Sequence, residues 1–128
     1  MNNVDSGVIL NAINDYVEKT KARCSKNNSR VEEIDKLFDT DIDEVQKTSL
    51  YIEKIELCTE TEILQIILAL IKHNFDNAKY KDKTLEEKLM QFIIEIEINT
   101  LQCRCGYETY KAELSIFSDL QDSNKEED

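Results

Sequence analysis

Proline is absent from this 128-residue chain, and glycine occurs only twice, at Gly7 and Gly106. Folds that need many tight turns, and sites that cradle phosphate on glycine-rich loops, have almost no material here. The single histidine, His73, leaves out paired-histidine metal sites, and a Cys/His dyad remains the only common nucleophilic arrangement. The longest apolar run, Ile63 to Ile71 with Gln65 inside, is nine residues long. That is about half of the roughly 20 residues that cross a bilayer, so it reads as a buried helix. Cations are also scarce: 16 Lys and Arg face 27 Asp and Glu, a formal charge of −11. A chain that neutralises nucleic-acid phosphates, or settles on an anionic membrane, needs the opposite balance.

What is present fits one helical domain, expected over 1–120 with a flexible acidic tail at 121–128. The apolar fraction of 41% is enough for one core, and the patterning argues against wholesale disorder. The N-terminus lacks a basic start followed by an apolar stretch, so a cytoplasmic protein is expected. There the four cysteines, Cys24, Cys58, Cys103 and Cys105, would stay thiols.

Helical spacing predicts five to six helices packed as a compact all-α bundle around a central apolar helix. The first, capped by Asp5 or Ser6, should end in the polar stretch 25–28. A capping box at Ser29 and Glu32 opens a short second helix, and 39–41 interrupts it. A third runs from Ile42 to about Cys58, and a fourth starts at the Thr59–Glu62 capping box and fades near Asn74. Thr84 and Glu87 open a fifth, stopped by Gly106 in its left-handed conformation. Leu85, Leu89, Phe92, Ile93, Ile96 and Cys103 lie on one side of it, and Met90, Ile94, Ile98, Leu101 and Cys105 on the other. Tyr107 to Leu120 forms a sixth. The strict alternation of 94–98 and 112–116 around Cys105-Gly106 allows the alternative of an α+β chain with a C-terminal hairpin at about 92–117.

Chemistry is sparse. Cys103 and Cys105 could supply two thiolates to zinc only if extended, because residues two apart on a helix diverge by about 200°. Asp39, Asp41 and Asp43 resemble the opening of a calcium loop, but its sixth position is Glu44 rather than glycine and its twelfth is Leu50. Glu53 and Glu56 form an ExxE step like the magnesium sites of all-α nucleotide pyrophosphohydrolases, yet no second acidic pair follows on the next helix. No catalytic residue, metal site or cofactor is therefore expected, and the chain reads as a non-enzyme.

The charge distribution is more informative. Residues 29–62 carry 4 cations and 11 carboxylates, and 108–128 carry 2 and 7, whereas 1–28 and 63–107 are near neutral. An acidic patch of Asp39, Asp41, Asp43, Glu44, Glu53, Glu56 and Glu60 would steer a basic protein. The expected function is to bind and neutralise a basic, nucleic-acid-acting partner, in the manner of an immunity protein, an antitoxin or a phage-encoded inhibitor. The alternative is a homodimeric structural or assembly factor, or a chaperone, that grips a partner helix through Met90, Ile94, Ile98 and Leu101.

Overall fold

A computed structural model describes residues 4–75, 81–102 and 106–126. They form four α-helices: α1 (Val4–Phe38), α2 (Glu44–Asn74), α3 (Leu85–Gln102) and α4 (Tyr107–Glu126). The all-α expectation holds, and the count of five to six is corrected to four. The proposed hairpin at 92–117 is also corrected: there is no strand among the described residues, and Ile94 to Ile98 and Ala112 to Ile116 are helical.

Two expected breaks do not occur, for one shared reason. The polar stretch 25–28 was to end the first helix, but Asn27 is buried and its amide donates to Glu60 Oε1 at 2.9 Å and Thr61 Oγ1 at 3.2 Å. Its side chain is spent across the helix pair and does not compete with the local backbone. Thr61 is the other half of the same contact, so 59–62 is the middle of α2 and not a start. Neither stretch contains glycine or proline, so nothing intrinsic stops the helix. At its first residues α1 already includes Asp5 and Ser6, which therefore do not cap it.

The remaining boundaries follow local chemistry. Thr40 closes α1 by donating its hydroxyl to Leu37 O at 2.6 Å. Asp43 then caps α2, accepting from Gln46 N at 2.8 Å while Gln46 Oε1 accepts from Asp43 N. Thr84 and Glu87 make the expected reciprocal box before α3. Gly106 turns α3 into α4 at φ +80°. A side chain there would overlap Ile63 Cδ1 and come within 3.2 Å of Thr59 Cγ2, so both conformation and space require glycine. α4 extends to Glu126, into the segment expected as tail.

α1 packs chiefly on α2 and α3 on α4, α2 meets α3, and Tyr16 of α1 reaches Glu113 and Phe117 of α4. The core is made by Ile9, Ile13 and Tyr16 of α1, Ile63, Ile67 and Ile71 of α2, Leu89, Phe92, Ile93 and Ile96 of α3, and Tyr110 and Phe117 of α4. An edge-to-face aromatic chain braces it: Tyr16 on Phe117 at 4.7 Å, Phe117 on Phe92 at 4.7 Å, and Phe92 on Phe75 at 5.9 Å. No helix is central, which corrects the expected inner helix. α3 buries one stripe and leaves Met90, Ile94, Ile98 and Leu101 exposed, and Ile66 in the apolar run of α2 is also exposed.

Helix lengths decide the shape. At 35 and 31 residues α1 and α2 are about 52 and 46 Å long, against about 27 and 30 Å for α3 and α4. The α3–α4 turn ends on Thr59 and Ile63. Among the described residues, α1 and α2 continue beyond that level as a two-helix arm, residues 28–58, with its tip at 39–43.

Candidate functional site

The arm carries most of the acidic block. Its own seam is closed by Ile34, which is fully buried, and by two cross-helix ion-pair groups. Arg30 makes a bidentate contact with Glu53, Nε to Oε2 at 2.7 Å and Nη2 to Oε1 at 3.0 Å, and also reaches Glu33 at 3.0 Å. Lys54 donates to Asp35 at 2.6 Å. The hydrogen bond from Arg30 holds the Glu53 carboxyl below the usual carboxylate range, and the one that Lys54 donates to Asp35 raises Lys54.

The seven proposed patch residues are thereby sorted. Glu53 is committed to Arg30. Glu60 accepts from Asn27 and lies 3.5 Å from Arg23. Asp43 is the α2 cap. Asp39 and Asp41 are exposed at the tip, Glu44 is exposed with Lys47 at 3.5 Å, and Glu56 is exposed one turn before the bundle begins. The patch is therefore a string of about 25 Å along the arm, with free carboxylates at the tip and at the base.

Apolar side chains accompany this string. Val45 is 80% exposed, and Tyr51, Ile52 and Ile55 are about half exposed. A depression of about 500 Å³ is lined by Glu44, Val45, Thr48, Ser49 and Ile52, and a second of about 440 Å³ by Ile55, Glu56, Thr59, Glu60, Gly106 and Thr109. The exposed face of α3 is a second apolar surface: Met90, Ile94 and Ile98 are about half exposed and Leu101 is 84% exposed. Its exposed charged neighbours on α3 are Glu86, Glu87 and Glu97.

One cluster escaped the sequence reading. Glu113 of α4 is 4% exposed and accepts from Tyr16 Oη at 2.6 Å, with Arg23 Nη1 at 3.3 Å. Arg23 also faces Glu60, so a single guanidinium ties α1 to α2 and α4. Burial, reinforced by the hydrogen bond to Glu113, pushes the Tyr16 phenol well above its ordinary range. Tyr16 and Glu113 are buried and hydrogen-bonded to each other while Arg23 reaches Glu113 from the surface, which suits fixing the register of α4 on α1 better than chemistry. The only signal for it was Glu113 falling in line with Tyr110 and Phe117, one turn apart in each direction.

The thiols and the histidine show no assembled centre. Cys24 is buried and Cys58 half-buried, both free, and burial pushes the Cys24 thiol up. Cys103 and Cys105 lie outside the described residues. His73 is exposed in the last turn of α2. Among the described residues no group of three His, Cys, Asp or Glu could hold a metal ion, and no helix is long and apolar enough to cross a membrane. No protein-family model, curated protein or solved structure matches the chain.

Proposed function

We propose that this chain is a non-catalytic binding protein that engages a basic protein partner through its acidic arm, in the manner of an immunity protein, antitoxin or inhibitor of a nucleic-acid-acting protein. The observation that carries this reading is the arm tip. Among the described residues Asp39 and Asp41 have no cation paired with them and Glu44 has only Lys47 at 3.5 Å, and all three stand at the far end of the helical arm. Unpaired carboxylates on a projecting element speed encounter with a cationic surface and can stand in for phosphates in its groove.

The test is recovery from the natural host at low salt with the chain and with D39K/D41K/E44K as baits, followed by cross-linking of what is retained. A basic protein, of pI above about 9, cross-linked to the arm and lost with the triple reversal is the expected result. Retention of the same proteins by both baits would sink the reading. Asp43 is left untouched because its reversal would remove the α2 cap and confound binding with stability.

The exposed stripe Met90, Ile94, Ile98 and Leu101 favours a second reading, a homodimer or partner-helix seam on α3. Sedimentation of the wild type and of Ile94→Glu discriminates: a monomer in both cases removes it.

A further inference from the structure

One stripe of α2 continues past the described residues that cover it. Going back along the helix from Asn74, the residues Leu70, Ile67, Ile63 and Thr59 follow at steps of four, three, four and four. Ile63 and Ile67 belong to the core, Leu70 packs on it, and Asn74 is buried with its amide 2.8 Å from Glu95 of α3. This is the side of α2 that α3 and the α3–α4 turn cover. Steps of three and four carry on as Glu56, Ile52, Ser49 and Val45, which are all exposed. From Asn74 to Val45 the steps average about 3.6 residues, the period of a straight α-helix, which keeps all of them on one continuous stripe. Gly106 sits on Thr59 and Ile63, and among the described residues it is the last piece of this cover. The two depressions described above lie in succession along the open part.

We infer that the open seam from Val45 to Thr59 is a docking groove for a basic amphipathic helix, which would continue the bundle along the arm. This rests on the proposed engagement of a basic partner and names the element that makes it. From 45 to 59 the groove is about 21 Å long, which matches some 14 helical residues. The occupant is chosen by charge. Glu44, Glu56 and Glu60 line the two depressions, and among the described residues no Lys or Arg does. The arm as a whole, residues 28–58, carries nine carboxylates (32, 33, 35, 39, 41, 43, 44, 53 and 56) and four cations (30, 36, 47 and 54). A second arm laid in the same place would bring the same charge excess against it, whereas a helix with Leu or Ile on one face and Lys or Arg on its flanks satisfies both the apolar seam and its acidic edges.

The probe is a 14-residue Leu/Lys peptide with apolar residues at helical spacing, compared with a scrambled peptide of identical composition. Binding at physiological salt is followed by methyl and amide NMR shifts on the whole chain. Expected are shifts at Val45, Ile52, Ile55 and Thr59 with the patterned peptide, and about tenfold weaker binding to V45A/I52A, whose changes lie on exposed positions. D39K/D41K should weaken it less. Equal binding of both peptides, moving only the tip amides, would overturn the groove and leave the acidic-arm reading standing. Shifts confined to Met90, Ile94 and Ile98 would overturn it in favour of α3. Self-association abolished by V45A/I52A would give the groove to a second copy. Absence of binding by either peptide would count against groove and acidic arm together.

Discussion

Glu113 shows how one side chain outweighs its sequence context. In the sequence it is one of 27 acidic residues; in the fold it is a buried carboxylate held by Tyr16 and Arg23. Tyr16→Phe removes its shortest hydrogen bond and leaves it with Arg23, at an expected cost of about 1–3 kcal/mol. Urea midpoints measure this, and an unchanged midpoint would mean the phenol contributes nothing. Gly106 is the opposite case, legible from the sequence as a helix stop. Gly106→Ala places a Cβ at φ +80° and against Ile63, so a loss of about 1–3 kcal/mol is expected in the same measurement.

At the scale of elements, the caps that formed and the caps that failed differ in their surroundings. Thr84 and Asp43 follow turns and have free backbone donors to satisfy, while the stretches at Ser29 and Thr59 lie where α1 and α2 are held together by Asn27, Thr61 and Glu60. Asp43→Ala should cost about 0.5–2 kcal/mol and fray the start of α2, seen as faster amide exchange at 44–47. The arm also carries a pH dependence. Glu53 has its folded pKa below the ordinary 4.5 through Arg30, so its contribution is fully present above that value and is lost as pH falls through the folded one. Over pH 6 to 3 the stability difference between the wild type and Glu53→Gln should therefore shrink. Parallel curves would show the Arg30 contact to be energetically silent, as exposed ion pairs often are.

The whole molecule is a four-helix bundle with a two-helix extension, and its surface reflects that. It exposes 8540 Å², against about 7,000 Å² for a compact monomer of its mass. Stability should be graded in the same way. The bundle has an aromatic brace joining α1, α4, α3 and the Phe75 cap of α2, whereas the arm has one fully buried apolar residue, Ile34, and solvent-facing ion pairs. Amides of 28–38 and 44–58 are expected to exchange through local opening well before those of 63–74 and 89–100. Phe92→Ala should cost about 3–5 kcal/mol and destabilise everything. Ile34→Ala should chiefly accelerate exchange in the arm. Uniform protection along α1 would contradict the division.

The sequence by itself pointed to the helical class, because the absence of proline and near-absence of glycine leave little material for tight turns, and it located the cap at Thr84 and the stop at Gly106, which are local events within four residues. It also located the acid excess. Only the tertiary structure decided how many helices there are, because polar stretches at 25–28 and 59–62 break a helix or join two according to whether their side chains find partners across the pair. It likewise decided which apolar stripe is core. The two faces of α3 look equivalent in spacing, and so do the two halves of the α2 seam; what covers one and leaves the other open is the length of α3 and α4 relative to α1 and α2, a property of no single segment.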